Sequence, residues 1–539
     1  MVSLLRSVAT IITTSLNNRI TATDLKEGMH KGQTLLFGMA LLSGGLFAIH
    51  AQEEFPLAPR VADAYIQKYG DWYYLTGTPC PGDWEMQWVG VWKSRDLVNW
   101  SGPVLAFEGE VRDRPMWASE MHRKGDDYYI ITTCNTWNPG NTFMVQKAPS
   151  PDGPYSFHSF LPKKGLDPSI FIDTDGKSYL LDSEWIAPLD EDWTRITNDF
   201  IGHRANKEGP FMVKSDNDYL RFYARIDPTY YMEMESLKGD NPYSVDYVEQ
   251  GEVLTGPWLP GHGCITPSPD GSELWYAAHA NTDGSWETRA LAIDPMRFES
   301  GRPVPTVRND KAKPAPSLSR NVNLAHGKVA NSTAFLAGHE PHKAIDGNKA
   351  TWWEGVVTAA DTVAPYLEID LMGEFFIDGI TARTPDKKKS DAEVAVSCDR
   401  INWTAPSSDR TARYVRFLPK TDCRIAEVEI TRVPYHIPAR GKRIASFFPD
   451  EQMKFTVPIT GTYDIEYVVE SRNLNSEWAL YDNSTLVARS NVAHTGPAGN
   501  STRIISFDVP LSSEREHNLK IVPVSGDYTI KEISIYSQN

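Results

Sequence analysis

The chain has 539 residues, with 54 Lys and Arg against 70 Asp and Glu, which gives a formal net charge of −16. At about 150 residues per domain, this length predicts about three to four folded units. The negative charge argues against a nucleic-acid-binding protein, because such proteins need a cationic surface to meet phosphates. Charged residues at 23% and apolar residues at 41% exclude wholesale disorder. The 16 Trp, 23 Tyr and 20 Phe favour a β-rich protein that packs rings or stacks ligands on them.

The N-terminal residues predict export. Residues 29–51 have the parts of a secretory signal peptide: Lys31 as the basic part, the apolar run 35–47 and a small-residue cleavage site. Residues 1–28 fit no part of a signal, so Met29 is interpreted as the better initiator. The apolar run is too short to span a membrane, and no other stretch reaches about 20 apolar residues. We therefore expect an exported protein, periplasmic or extracellular, without a transmembrane segment.

The five cysteines do not form a disulfide scaffold, because their number is odd and no pair has metal-ligand spacing. Pairing of Cys398 with Cys423 stays open, since both lie in one predicted domain. We expect the others, Cys80, Cys134 and Cys264, to be free and buried.

One short pattern recurs five times between residues 60 and 300: a turn residue followed by an aromatic and β-branched strand. The copies are DWYYLTGT from 71, DDYYIITT from 126, GKSYLLDS from 176, NDYLRFYA from 217 and SELWYAAH from 272. A period of about 40–55 residues with several short strands is typical of propeller blades. The pattern predicts a five-bladed β-propeller over residues 53–310.

A polar residue opens the strand that precedes each copy. These residues are Asp63, Glu120, Asp167, Glu208 and His262. They lie about six to ten residues before their copies, so we expect equivalent positions in successive blades, pointing into the central channel. Clustered carboxylates resist ionising together, so such a site can hold an acid and a base at one pH. The alternative is that each of them only bonds a local turn.

The ordered motifs of this region resemble glycoside hydrolase family 43, a family of five-bladed propellers. The resemblance rests on Asp63 before DWYYLTGT, KSRDLVNW from 93, WASE from 117, LDPSIFIDTDGKSYLL from 166, EGPFMVKSDNDY from 208, GHGCITPSPDG from 261 and RALAIDP from 289. It implies that Asp63 is the general base, Glu208 the general acid, and Asp167 the residue that orients the acid and tunes its pKa. The family's usual Asp-Pro at the base is Asp-Ala here.

The resemblance also implies substrate contacts. Trp117 and Arg289 match positions that commonly touch the sugar, and His262 matches one near a bound ion or water. The loops between the predicted blades carry Trp84, Trp88, Trp137, Trp185 and Trp193, and the C–H face of a sugar stacks on such rings. The candidate substrate-binding residues are Trp117, His262, Arg289, Glu120, Trp137 and Trp84.

The implied reaction is single-displacement hydrolysis with inversion. Protonated Glu208 donates to the glycosidic oxygen, while ionised Asp63 takes a proton from water on the opposite face of the sugar. The negative charge of Asp167 keeps Glu208 protonated. This chemistry needs neither a metal nor an organic cofactor.

The preferred function is an exo-acting α-L-arabinofuranosidase that removes side-chain sugars from plant polysaccharides, because a narrow five-blade channel suits one terminal residue. A β-D-galactofuranosidase, a β-xylosidase and an exo-β-1,3-galactosidase stay open. A non-catalytic carbohydrate-binding propeller is the alternative of another class, and a surface adhesion protein is a third. The expected partner is an oligo- or polysaccharide, and the sequence carries no prediction of oligomeric state.

Residues 311–319 are rich in Pro and Ser, which predicts a linker. Residues 320–434 resemble a discoidin-like domain (coagulation factor 5/8 type C, carbohydrate-binding module family 32), through NLAHGK from 323, AIDG from 344, TWWE from 351 and YLEIDL from 366. In some such domains the Asp-Gly-Asn segment, here 346–348, lies near a structural Ca²⁺. That ion, or an ion near His262, is the cofactor that the resemblance allows. Trp352 and Trp353 are expected in the core.

Residues 435–539 alternate apolar and polar side chains, as in TYDIEYV from 462. This pattern predicts a β-sandwich that looks like family 6 carbohydrate-binding modules. Sugar binding and a purely structural role both stay open for it. The whole chain is therefore predicted to be all-β, a propeller followed by two β-sandwich (jelly-roll) domains.

Overall fold

The structure is a computed structural model, and it describes residues 59–80, 88–108, 116–135, 141–161, 165–183, 185–202, 207–226, 230–281, 289–309, 313–318, 320–356, 365–420, 423–434, 440–448, 451–473, 476–492, 495 and 501–538. Residues 54–311 and 315–539 belong to one compact unit, and the elements described here lie within it. The predicted signal segment, Trp84 and Trp137 lie outside the described residues.

The described residues form β-strands and a short 3₁₀ helix, Pro341–Ala344, and none of them forms an α-helix. The all-β prediction is therefore confirmed. Within the same residues, no helix has the length and hydropathy that a membrane crossing requires.

Five antiparallel sheets follow one another along the chain, and each grows outward from its first strand in sequence order. The first contains β1 (Val61–Tyr69), β2 (Trp72–Pro79), β3 (Trp88–Ser94) and β4 (Val104–Glu108). The second contains β5 (Met116–Lys124), β6 (Asp127–Asn135), β7 (Asn141–Ala148) and β8 (Ser156–Leu161). The third contains β9 (Ser169–Ile172), β10 (Ser178–Leu181), β11 (Trp185–Pro188) and β12 (Ile201–Gly202).

The fourth sheet contains β13 (Lys207–Ser215), β14 (Asp218–Arg225), β15 (Tyr231–Lys238) and β16 (Val248–Thr255), and the fifth contains β17 (Gly261–Pro267), β18 (Leu274–Asn281) and β19 (Arg289–Met296). A hairpin of β20 (Phe298–Glu299) and β21 (Arg302–Pro303) follows, and β22 (Thr306–Val307) pairs in parallel with β16. The five segments repeated in the sequence coincide with the second strands, β2, β6, β10, β14 and β18.

The contacts between first strands follow the order β5, β1, β17, β13, β9. β1 contacts β5 and β17, and β13 contacts β9 and β17. The second and third sheets meet where the backbone N–H of Asp167 donates to Thr133 Oγ1 over 3.0 Å. These contacts bring together the beginnings of all five first strands.

Each first strand begins near a residue in the left-handed backbone region. Asp63, Ala118, Asp167, Gly209 and His262 have φ values of 54°, 49°, 56°, 57° and 42°. In β1, β5, β13 and β17 this residue lies in a register shift against the second strand. A β-bulge of this kind bends the strand and redirects a side chain.

The bulge corrects the expected equivalence of the five polar residues. Asp63, Asp167 and His262 are themselves the left-handed residues of their sheets, whereas Ala118 and Gly209 are those of the second and fourth sheets. Glu208 therefore precedes the bulge position by one residue, and Glu120 follows it by two. The expectation was wrong because spacing in the sequence does not register the extra residue of a bulge.

Residues 320–434, here called the middle segment, have a separate apolar core that contains Trp353. Their strands are β23 (Val329–Ser332), β24 (Trp353–Glu354), β25 (Leu367–Arg383), β26 (Glu393–Ser397), β27 (Thr411–Leu418), β28 (Arg424–Ile425) and β29 (Glu427–Arg432). Trp353 is fully buried, as expected, but Trp352 is only half-buried and its ring lies 4.4 Å from that of His339.

The middle segment covers the ends of the first strands that lie away from Asp63. β25 contacts both β1 and β17. Hydrogen bonds also join the two parts, among them Gln67 with Arg413 (3.3 Å), Arg123 with Glu374 (2.7 Å), Ile172 with Arg400 (2.9 Å) and Lys214 with Asn331 (2.8 Å). The middle segment thus packs against this end of the first strands.

The last segment forms two four-stranded sheets that share one core. One contains β30 (Arg440–Phe447), β32 (Gly461–Ser471), β35 (Thr502–Leu511) and β37 (Tyr528–Gln538). The other contains β31 (Met453–Phe455), β33 (Ser476–Asp482), β34 (Thr485–Val492) and β36 (His517–Ser525). Arg95 and Asp508 form an ion pair of 2.6 Å between this segment and the first sheet.

Two points that the sequence raised about side chains are answered here. Cys398 and Cys423 are not joined by a disulfide, so the pairing left open between them does not form. Trp193 is fully buried, and its ring lies 5.0 Å from that of Tyr129 in the core between the second and third sheets. It therefore packs the core and does not offer a face to a sugar.

Candidate active site

Asp63 lies at the bulge of β1 and is 8% exposed. Thr78 Oγ1 donates to its Oδ2 over 2.7 Å, and Arg289 Nη1 lies 3.5 Å from its Oδ1. Burial raises the pKa of Asp63, but the positive charge of Arg289 and the neighbouring His279 outweigh burial and hold this pKa far below its usual range. Asp63 is therefore an ionised carboxylate, the state that a base requires.

Glu208 lies on β13, one residue before the bulge. Tyr230 O–H donates to Glu208 Oε1. Burial raises the pKa of Glu208 to about 7 and the negative charge of Asp63 adds to the effect, while the Tyr230 hydrogen bond opposes it. Glu208 therefore holds its proton up to neutral pH, the state that an acid requires.

Asp167 precedes β9 and is buried. Its Oδ2 accepts the backbone N–H of Gly209 over 3.0 Å, which ties it to the peptide unit that follows Glu208. Burial raises the pKa of Asp167 well above its usual range, and the charges of Glu208 and Asp63 add to this. The hydrogen bond to Gly209 places Asp167 beside the acid. Burial and the charge of Asp63 raise the pKa of Glu208, and not the negative charge of Asp167 that the sequence led us to expect.

His262 lies at the bulge of β17 and is 2% exposed. Its Nδ1 lies 3.5 Å from Asp63 Oδ1 and 3.6 Å from Asp167 Oδ2. Burial lowers the pKa of His262, so the neutral ring sits between the two carboxyl groups. A Cβ at Gly209, where φ is positive, would overlap this ring, which explains the glycine after Glu208.

Glu120 lies two residues after the left-handed residue of β5. It is 1% exposed, bonds Ser169 and has its Oε2 3.3 Å from His122 Nε2. Burial raises the pKa of Glu120 well above its usual range, and the charge of Asp167 adds to this. Glu120 is therefore a buried carboxyl group bonded to its neighbours in the core.

Trp117 and Arg289 complete the described candidates. Trp117 is half-buried on β5, next to the bulge residue Ala118. Arg289 begins β19 and is 9% exposed. The structure thus brings Asp63, Asp167, Glu208, His262 and Arg289 together.

Sequence reasoning missed the residues that hold the bulges in place. The N–H of Asp63 donates to His279 Nδ1 over 3.1 Å, that of Ala118 to Thr78 Oγ1 over 2.8 Å, and that of Asp167 to Thr133 Oγ1 over 3.0 Å. Each acceptor is the last residue of a repeated segment, so the repeat in the sequence could have identified these three residues. Tyr230 has no comparable signal, because it precedes β15 outside the repeat.

Part of the chain is similar in sequence to known glycoside hydrolases. Residues 56–303 match the family model described as Glycosyl hydrolases family 43. The chain is 23% identical over 252 residues to "Xylosidase/arabinosidase 43B" of Humicola insolens, and 26% identical over 199 residues to "Xylosidase/arabinosidase" of Butyrivibrio fibrisolvens.

These matches cover part of each protein. They span 39% of this chain and 45% of the Humicola protein, and 31% of this chain and 37% of the Butyrivibrio protein, so the chain covers less than half of either relative. A solved β-xylosidase/α-arabinofuranosidase from a compost microbial metagenome aligns with 48% of this chain and 98% of its own, at 17% identity and a TM-score of 0.41.

Proposed function

We propose that this chain, whose residues 56–303 form a family 43 glycosyl hydrolase domain, is an exo-acting glycoside hydrolase that inverts the anomeric centre. The observation that carries the proposal is the pairing of two carboxyl groups with opposite pKa shifts. The pKa of Glu208 is raised to about 7, and that of Asp63 is held far below its usual range. Between these two values one group is a proton donor while the other is a proton acceptor.

The reaction follows from these two protonation states. Glu208 gives its proton to the glycosidic oxygen as the bond from that oxygen to the anomeric carbon breaks. Asp63 takes a proton from water as the water oxygen bonds to the opposite face of that carbon. Asp167 holds the Gly209 N–H and thereby fixes the backbone beside the acid. Arg289, next to Asp63, keeps the base ionised.

We propose that the five sheets are the blades of a five-bladed propeller. The row of contacts from β5 through β1, β17 and β13 to β9 supports this, as does the left-handed residue near the start of each of the five sheets. The catalytic residues then lie at one mouth of the channel. The middle segment closes the other end, which favours a pocket for a terminal sugar over a through-going cleft.

The proposed substrate is a terminal α-L-arabinofuranose on a plant polysaccharide. A β-D-xyloside is the second candidate, because both curated relatives carry names that join xylosidase with arabinosidase. Arg289 supplies polar contact to the sugar and Trp117 an aromatic surface, in accord with the resemblance described above.

Hydrolysis of a substrate panel tests this proposal. The panel contains α-L-arabinofuranosides, β-D-xylosides, β-D-galactofuranosides and β-1,3-galactan, and it is run on wild type, Glu208→Ala and the exposed control Glu252→Ala. Release of one monosaccharide by wild type and the control, but not by Glu208→Ala, is expected. Glycan binding without any release would instead support a non-catalytic carbohydrate-binding propeller.

We propose that the chain is exported, because residues 29–51 resemble a signal peptide.

We also propose a discoidin-like fold for residues 320–434. In that fold a Ca²⁺ ion would be held by Asp346 and Glu427. Glu427 Oε2 is buried without a hydrogen-bond partner, and burial with the charge of Asp346 raises the pKa of Glu427 to about 7. A hard cation prefers such oxygen ligands, and here it would be structural.

Asp346 and Glu427 supply two carboxyl groups, and among the described residues no group of three or more His, Cys, Asp or Glu is placed to hold a metal ion. Beside His262, the carboxyl groups of Asp63 and Asp167 already accept hydrogen bonds from Thr78 and Gly209.

A further inference from the structure

Tyr230 connects the acid to the base through a buried stack. Its O–H donates to Glu208 Oε1, and its ring is stacked on His279 with centroids 5.5 Å apart and planes 15° from parallel. His279 Nδ1 in turn accepts the backbone N–H of Asp63 over 3.1 Å. Tyr230 is 5% exposed and His279 is fully buried. The two rings thus fix the acid relative to the strand that carries the base.

The backbone around Tyr230 is shaped to hold its ring. Gly261 begins β17, and a Cβ there would overlap the Tyr230 ring. Any other residue at 261 would push the ring away from Glu208. This steric demand accounts for the glycine before His262, which the motif in the sequence left unexplained.

We propose that Tyr230 is a positioning residue for the acid, which directs the proton of Glu208 to Oε2 and stabilises the carboxylate as the proton leaves. This inference rests on the proposed function. Because the Tyr230 O–H already occupies Oε1, the transferable proton lies on the other oxygen. As that Oε2–H bond breaks and a new O–H bond forms on the leaving group, negative charge grows on the carboxylate. A hydrogen bond to a charged acceptor is stronger than one to a neutral acceptor, so Tyr230 favours the transfer.

The test compares Tyr230→Phe with Tyr231→Phe in the full chain. Phenylalanine keeps the ring that stacks on His279 and removes only the hydroxyl. Tyr231 is the matched control, because its hydroxyl donates to Glu233 Oε1 over 3.1 Å instead of to Glu208. Gly261→Ala, which displaces the Tyr230 ring, is a second route to the same loss. Each protein is assayed on the nitrophenyl glycoside and on the natural oligosaccharide of the sugar that wild type releases.

Acid catalysis matters most when the leaving group is a poor one. For Tyr230→Phe we expect kcat to fall about 10–100-fold on the oligosaccharide and less than about 3-fold on the nitrophenyl glycoside. The alkaline limb of the pH profile should move up by about one unit, because the carboxylate loses a stabilising hydrogen bond. Tyr231→Phe should match wild type, and Gly261→Ala should show the same dependence on the leaving group as Tyr230→Phe.

Two results would overturn the inference while leaving the proposed function intact. One is a Tyr230→Phe enzyme that is as active as wild type on both substrates. The other is an equal loss on both substrates with an unmoved pH profile, which would mark a purely structural role. If wild type releases no sugar at all, the proposed function fails first, and the inference fails with it.

Discussion

The backbone N–H of Gly209 donates to Asp167 Oδ2 over 3.0 Å, and this bond joins the third and fourth sheets directly beside Glu208. Under the proposed function, this bond lets a carboxyl group outside the proton transfer act on the acid, because Asp167 holds the peptide unit that follows Glu208.

We therefore predict that Asp167→Ala lowers kcat by about 100-fold or more, because general acid catalysis is lost when the acid is misplaced. Asp167→Asn should lose less, since its amide oxygen still accepts the Gly209 N–H. Steady-state kinetics on the released sugar measures both. Equal losses for the two variants would show that the hydrogen bond to Gly209 is irrelevant.

The pH profile should be asymmetric. Activity needs protonated Glu208, so kcat/KM should fall as pH rises through about 7. It also needs ionised Asp63, whose pKa is held far below its usual range, so activity should persist well into acidic solution. Measurement of kcat/KM from pH 3 to 9 checks this. An acidic limb at the ordinary Asp pKa would contradict the geometry around Asp63.

Arg289 controls that acidic limb. Arg289→Met removes the positive charge beside Asp63, so burial should then dominate and raise the pKa of Asp63. We expect the acidic limb to move to higher pH and kcat/KM to fall about 10-fold or more at its optimum. The same pH series on the variant gives the answer, and an unmoved acidic limb would count against this role of Arg289.

The contact between the sheets and the middle segment should contribute strongly to the free energy of unfolding. Arg123 Nη1 lies 2.7 Å from Glu374 Oε2, with the side chains 19% and 2% exposed. Loss of one partner of a buried pair costs about 3–5 kcal/mol, so Arg123→Met should lower the melting temperature clearly. Lys177→Met is the control, because its ion pair with Asp175 is exposed and contributes about 0–1 kcal/mol. Equal melting temperatures for the two variants would contradict the tight contact.

Calcium should stabilise the wild-type chain. A ligand that binds only the folded state raises the melting temperature with its concentration, so added Ca²⁺ should do so for wild type and not for Glu427→Gln. Thermal unfolding with EDTA or Ca²⁺ measures the shift. A Ca²⁺ effect that survives Glu427→Gln would place the ion elsewhere.

The sequence alone predicted the β-class and the three carboxyl groups, because Asp63, Asp167 and Glu208 sit in ordered motifs beside strongly periodic strands. It did not predict the bulges, since the extra residue becomes visible only through strand pairing. For the same reason the sequence led us to expect Glu120 at the position equivalent to Asp63, which Ala118 occupies instead.

Contacts between segments far apart in the sequence could not be predicted from the sequence either. Tyr230, which precedes β15, contacts Glu208 on β13 and His279 on β18 of another sheet, and no local pattern in the sequence marks it. Trp193 lies in a Trp-rich loop segment that could stack on a sugar, yet its side chain packs in the core between the second and third sheets. Long-range packing decided both positions.

The stereochemistry of the first product tests the central claim, that Glu208 and Asp63 act as acid and base in a single displacement. Wild type is mixed with the glycoside that it cleaves, and ¹H NMR follows the anomeric signals before mutarotation. The inverted anomer should appear first, because water attacks the face opposite the leaving group. First appearance of the retained anomer would contradict the account, since it requires a covalent intermediate that an ionised base acting on water does not form.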